Sequence, residues 1–217
     1  MATTAMSRVF FDWNAGAPLT AAARDAVVDA LSLAGNPSSI HAEGRAARGL
    51  IEAARASVAA LCGVAPAAVT FTSGGTEANQ TALSPSMEID GRPVRFARLL
   101  VSAVEHPSVM AGGRFPADAV GIVPVDADGI VDLAALERML ADGEGPVLVS
   151  LMAANNETGV IQPVADAARI VHAAGGLLHV DAVQVAGRLP LSVADLGADV
   201  VTLSAHKIGG PRGAGAV

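Results

Sequence analysis

The sequence predicts an α/β fold, a mostly parallel β-sheet with helices on both faces. Three observations predict it. From residue 69 onward, short runs rich in β-branched residues alternate with helical patterns, and such alternation builds βαβ units because parallel neighbours need a crossover that a helix supplies. Several runs, such as VLVSLM, are apolar throughout instead of alternating, the texture of strands covered on both faces. Apolar residues make up 52% of the chain, yet none of the runs reaches the roughly 18 residues needed to cross a bilayer. The apolarity therefore belongs to a buried core.

The elements follow in order. Residues 20–33 and 42–61 carry helical patterns, joined by the turn-rich GNPSSIH with no strand between them. On the second, Leu50, Ile51, Ala54, Val58 and Leu61 share one face, and Cys62 ends the run as a small buried hydrophobe. Strands are expected over 69–72, 99–102, 122–125, 147–152, 177–181 and 200–204, and helices over 76–83, 133–141 and 164–174. Residues 214–217 read as the beginning of another strand with unsatisfied backbone groups, so the chain is expected to be cut short there. A length of 217 residues suffices for one domain with its own core.

Charge and composition exclude several classes. The formal net charge is -7, from 14 basic and 21 acidic residues, and the arginines are scattered, which argues against nucleic acid or an anionic membrane as partner. The opening MATTAMSRVFFDWN lacks the basic segment, apolar core and cleavage site of a secretory signal. A soluble, cytoplasmic protein is expected. The single cysteine allows no intramolecular disulfide, and no zinc-like spacing occurs.

Polar residues at strand ends carry the chemistry. In TSGGTEAN, Gly74 and Gly75 let backbone N–H groups converge at a helix N-terminus, a phosphate site, although a plain glycine turn with Thr76 as N-cap uses the same residues. In EHPS, Pro107 favours an extended backbone at His106 and a helix start, so the imidazole projects from the sheet edge, to stack on a planar heterocycle or simply be solvated. In NNETG, Asn155, Asn156 and Glu157 are placed for binding or for a turn. In HVDAVQ, Asp181 ends a buried strand, where an unpaired carboxylate is costly and a cation is called for. An arginine would serve, and so would the pyridinium nitrogen of pyridoxal 5'-phosphate (PLP), whose protonated ring is an electron sink. Lys207, in SAHKIGGP, favours PLP: burial and positive neighbours lower an amine's pKa and make it nucleophilic toward a carbonyl, while Ser204 and His206 offer donors to a phosphate.

Taken in order, TSGGTEAN, EHPSV, NNETGVIQP, HVDAVQ and SAHKIGGP resemble the cysteine desulfurases of the fold-type I, class V aminotransferase-like group. The similarity begins earlier, at FFDWNAGAP and GNPSSIHAEGRAAR, and spans nearly the whole chain. It implies the large domain of the PLP-dependent transferase fold-type I over residues 21–217, an N-terminal segment, 1–20, associated with a small domain, and no C-terminal small domain. It implies that Lys207 bonds the cofactor and later moves protons, His106 stacks on its ring, Asp181 holds the pyridine nitrogen and Gln184 donates to the phenolic oxygen. Gly75, Thr76, Ser204 and His206 would bind the phosphate, and Asn156 would lie beside the ring and the substrate carboxylate.

The implied activity converts L-cysteine to L-alanine, with the sulfur held as a persulfide on an enzyme cysteine for iron–sulfur cluster, sulfur-containing cofactor or tRNA biosynthesis. A homodimer and a sulfur acceptor such as an iron–sulfur scaffold are the implied partners. Two features depart from the pattern. The family's nucleophilic cysteine lies on a loop well beyond the lysine, a position Cys62 does not match, and Ala15-Gly16-Ala17 stands where small hydroxylated residues are common. The alternatives are a non-catalytic PLP-binding or dimerising module, or another class V enzyme such as a selenocysteine lyase or an aminotransferase.

Overall fold

The computed structural model describes residues 9–89 and 91–217. Residues 1–8, part of the MATTAMSRVFFDWN segment in which no secretory signal is expected, lie outside the described ones. Two helices come first, α1 (Ala21–Leu31) and α2 (Ala42–Cys62). Thr20 starts α1 by accepting a hydrogen bond from Ala23 N, and Gly63 stops α2 at φ 70°, a left-handed conformation that glycine adopts without strain.

The βα alternation follows: β1 (Phe71–Thr72), α3 (Gly75–Ala82), a hairpin of β2 (Ser86–Ile89) and β3 (Arg92–Arg95), then β4 (Arg98–Ser102) and α4 (Pro107–Met110). Next come β5 (Val120–Val123), α5 (Leu133–Ala141), β6 (Val147–Met152), α6 (Val164–Ala173) and β7 (Leu177–Asp181). The chain closes with α7 (Val193–Leu196), β8 (Val200–Ser204) and β9 (Gly215–Ala216).

Seven strands form one sheet in the order β1-β9-β8-β7-β6-β4-β5. The pairs from β5 to β8 are parallel, as the sequence predicts. The last strand corrects the expectation of unsatisfied edges. Antiparallel β9 lies between β8 and β1 and is paired on both sides, and Val217 exchanges two backbone hydrogen bonds with Thr70, at 2.7 and 2.9 Å. The reason is the turn after β8, which folds the chain back into a slot that β1 flanks.

Smaller differences have local causes. Residues 66–68 form a 3-10 turn, which leaves β1 only Phe71 and Thr72. The β2–β3 hairpin falls where no strand is expected, although Asp90-Gly91 is a hairpin dipeptide and Gly91 has φ 74°. Val125, expected in β5, instead bridges Val131.

Strand side chains feed two cores. Leu100, Val147, Val149, Leu151, Leu178 and Val180 pack with α5 and α6 on one face, while Leu99, Val101 and Leu148 pack with Leu83 and Val109 on the other. All six residues of β6 are buried, the consequence of helices on both faces. Only the end of α2 joins this core, through Val58, Ala59, Leu61 and Cys62; Leu50 and Ile51 are exposed. Helix α1 buries none of its residues. Among the described residues no helix is long and apolar enough to cross a membrane.

Strand β9 also braces the site. A Cβ on Gly215 would fall 2.6 Å from the Gly74 carbonyl carbon, so only glycine lets β9 lie against the turn before α3. Gly215→Ala is expected to lower the unfolding free energy by about 1–3 kcal/mol. Gly49→Ala, in α2 with open space around it, is expected to raise it by about 0.5–1 kcal/mol. Urea denaturation of the two variants checks the pair.

Candidate active site

Parallel strands present their carboxyl ends at one edge of the sheet, where ligands of such folds bind. Here β6 ends at Met152, β7 at Asp181 and β8 at Ser204, and the loop after β4 brings His106 to the same edge. A cavity of about 260 Å³ opens there. Gly75, Thr76, His106, Asn156, Asp181, Gln184, Ser204, His206 and Lys207 all line it, so the fold brings every sequence-predicted site residue together. Asn79, Ser108 and Met152 line it as well.

Each position has a local cause. Helix α3 begins at Gly75, with Gly74 at φ 157° and ψ 178°, a region almost reserved for glycine. Thr76 is the second helical residue and not the N-cap, which removes the plain capped-turn reading. Instead Glu77 closes the turn by accepting a hydrogen bond from Ser73 N at 2.6 Å. The first-turn N–H groups of α3 have no intrahelical partner and are left for a ligand. His106 caps α4, its Nδ1 accepting from Ser108 N at 3.1 Å. The two asparagines divide their tasks: Asn155 is the turn former, accepting from Glu157 N and Thr158 N at 2.9 Å each, and Asn156 faces the cavity.

Lys207 is half-buried and donates to Asn14 O and, at 3.3 Å, to Ala15 O. This N-terminal loop is tied down at several points. Gln184 Nε2 donates to Asn14 O at 3.0 Å, and Ala17 N to His206 O at 2.9 Å. Arg188, which the sequence reading gave no role, is the hub: Nη1 donates to Asn14 Oδ1 at 2.6 Å and Gln184 Oε1 at 2.7 Å, and Nη2 to Trp13 O at 2.9 Å. Its only sequence signal is a spacing of four residues from Gln184.

The electrostatics are uneven by design of the burial. Desolvation lowers the pKa of Lys207, with Arg188 adding to the fall and Asp12, Asp181 and Glu157 opposing it. Burial, Lys207 and Arg212 lower that of His206, whose Nδ1 lies 2.9 Å from Ser204 Oγ. Burial raises Asp181, but hydrogen bonds from Asn79 and Val183, with His106 and Lys207 nearby, pull it back. Glu105 is raised well above the ordinary carboxylate range by burial and then by the Asp181 charge, against one hydrogen bond from Met152 N at 2.6 Å. Its Oε2 is buried and has no hydrogen-bond partner among the described residues. Of the two carboxyls, Glu105 is therefore pushed further toward its protonated form, while Asp181 has more groups that favour its charge.

The chain matches the family model described as Aminotransferase class-V over residues 9–217. It belongs to that family. A cysteine desulfurase of Cereibacter sphaeroides is 42% identical over 98% of this chain and 55% of its own length. A NifS-like protein of Rickettsia africae superposes with a TM-score of 0.87 at 34% identity, over 97% of this chain and 57% of its own. SspA, solved in complex with cysteine, has a TM-score of 0.82 at 26% identity, over 96% of this chain and 60% of its own. The chain spans about half the length of the curated relatives it matches.

Class-V aminotransferases are PLP-dependent, and the donor set of this member fits that cofactor. The cavity pairs the Asp181 carboxyl with an amine of lowered pKa, has the His106 imidazole in its lining, and is bounded by a helix N-terminus with two hydroxyls, from Thr76 and Ser204, that suit a phosphate. Among the described residues no cluster could hold a metal ion.

Two buried groups of this class-V chain give stability opposite pH slopes. The folded chain keeps a proton on Glu105 that the unfolded chain releases above its ordinary pKa of 4.5, so this group withdraws up to about 1.4 kcal/mol per pH unit as pH rises. Burial holds His179 at about 3, below its ordinary 6.5, so stability also falls as pH drops through that window. Glu105→Gln keeps an acceptor for Met152 N without titrating. Its unfolding free energy is expected to match the parent's near pH 4.5 and to exceed it increasingly as the pH rises above that; urea titrations at rising pH check the slope.

Proposed function

We propose that the chain forms the cofactor-binding part of a PLP-dependent cysteine desulfurase, an enzyme in which L-cysteine passes its sulfur to an enzyme cysteine and leaves as L-alanine. The observation that carries the reading is the convergence of Lys207, Asp181 and His106 on one cavity at the carboxyl ends of the strands. When bound, PLP supplies an electron sink for charge developing on the substrate carbon.

The chain's own residues prepare that chemistry. Lys207 would hold the cofactor and then accept and return a proton, a task that its lowered pKa favours. Asp181 would keep a ring nitrogen protonated. His106 would cover a ring face, Gln184 would donate to the phenolic oxygen, and Asn156 would lie beside the ring and the substrate carboxylate. Gly75, Thr76, Ser204 and His206 would hold the phosphate. The relative named a cysteine desulfurase and the SspA complex with cysteine support L-cysteine as substrate. The same reading includes the division into residues 1–20 and a large domain of 21–217, a homodimer, a sulfur acceptor such as an iron–sulfur scaffold, and a cytoplasmic location.

The sulfur-accepting thiol is not Cys62. That residue is buried at the end of α2, away from the cavity, and burial raises its pKa, the opposite of what a nucleophilic thiolate requires.

Adding PLP to the chain is expected to produce a visible absorption band, and borohydride to fix the cofactor on Lys207, located by peptide mass spectrometry. Lys207→Ala should lose both; label retained elsewhere in that variant would overturn the assignment. The chain alone is expected to release no sulfide from L-cysteine, with Cys62→Ala indistinguishable from the parent in the same assay.

A further inference from the structure

A chain of buried polar side chains that the proposed reaction does not use joins Asp181 and His106 to residues within the sheet. Ser150 Oγ lies 2.8 Å from His179 Nδ1, and His179 Nε2 lies 3.1 Å from Thr202 Oγ1. Thr202 Oγ1 lies 2.6 Å from Asn79 Oδ1. Asn79 Nδ2 is 2.9 Å from both Asp181 Oδ2 and Ser108 Oγ, and Ser108 Oγ is 2.8 Å from His106 Nδ1. Ser150, His179, Thr202 and Asn79 are each at most 1% exposed, so bulk water does not reach them.

Only two arrangements of hydrogens satisfy such a chain. If Asp181 is ionised, it can only accept. Asn79 must then turn its NH2 toward Asp181 and Ser108 and its oxygen toward Thr202. Thr202 donates to that oxygen and so must accept from His179 Nε2–H, which leaves His179 Nδ1 to accept from the Ser150 hydroxyl. Ser108, having accepted from Asn79, donates to His106 Nδ1. If instead Asp181 is protonated at Oδ2, every link reverses: the Asn79 amide flips, Thr202 donates to His179, His179 becomes the Nδ1–H tautomer, and Ser108 turns away from His106. The reversed state strands a hydrogen, because His179 Nδ1 is the one partner Ser150 Oγ has among the described residues. A buried hydroxyl without an acceptor costs stability. The first arrangement leaves none stranded, and Val183 N–H, at 3.0 Å from Asp181 Oδ1, adds a second donor to the charged carboxylate.

We infer that Asn79 is a positioning residue that ties the charge of Asp181 to the Ser108–His106 hydrogen bond on one side and to the tautomer of His179 on the other. The carboxylate and the imidazole at the cavity are thus held as one unit, and His179 reports its state from within the sheet. The bearing on the cofactor rests on the function proposed above; the network itself does not.

The test uses the 217-residue chain without cofactor, so that failed PLP trapping on Lys207 and a failed network are separate results. Long-range proton–nitrogen NMR of the histidine rings at about pH 8, above the ordinary imidazole range, is expected to show His179 as the Nε2–H tautomer, in at least about tenfold excess. In Asp181→Asn, the new amide must accept from Val183 N with its oxygen and donate to Asn79. The network then reverses, and His179 is expected to change to the Nδ1–H tautomer. Nδ1–H in the parent, or no change in Asp181→Asn, overturns the inference. Thr202→Val guards against misfolding of that variant: it cuts the link, so His179 should show both tautomers, whatever stands at 181. A residue-181 effect that survives in the double variant would also overturn it.

Discussion

A carboxylate at the buried end of a central strand is the constraint around which the rest of this site is arranged. Asp181 closes β7, with β6 and β8 on either side, and is 6% exposed. Isolated in that position it would take up a proton. Two N–H donors reach it, from Val183 and Asn79, and the side chains of His106 and Lys207 lie near enough to favour its charge. Burial pushes Glu105 further toward its protonated form, since its carboxyl has one donor and one orphaned oxygen. The two nearby carboxyls thus differ through their hydrogen bonds, since both are buried.

The fold supplies those partners from distant parts of the chain. Helix α3 brings Asn79, β8 brings Thr202, and helix α4 with its N-cap brings Ser108 and His106. Their convergence depends on parallel strands delivering their ends to one edge, and on β9 pressing against Gly74 so that α3 starts where it does. The antiparallel strand is therefore part of the site's framework, although it contributes no side chain to the cavity. Arg188 acts similarly on the solvent side, holding residues 13 and 14 across Gln184 and Lys207.

The contrast between α2 and the sheet has the same origin. Cys62 packs into the larger core because the end of α2 rests on the sheet, while the first half of its apolar face, with Leu50 and Ile51, meets no described neighbour layer and stays exposed. Apolar periodicity identified the face, but what it packs against is a property of the whole fold.

By itself the sequence determined the α/β class, the parallel strands from β4 to β8 and nine of the residues that line the cavity. Several announce themselves locally, as an apolar run, a glycine pair before a helix, or a charged residue placed where an apolar strand ends, whereas Gln184 and Asn156 were singled out by the family resemblance. Only the tertiary structure decided that β9 pairs on both sides, that Arg188 is a hub, and that Asn79 joins Asp181 to His106. Asn79 and Asp181 are 102 residues apart, and nothing in either segment specifies which atom of the amide faces the carboxylate. Periodicity is a property of neighbours along the chain, whereas the direction of a buried hydrogen bond depends on every donor and acceptor that folding brings within reach.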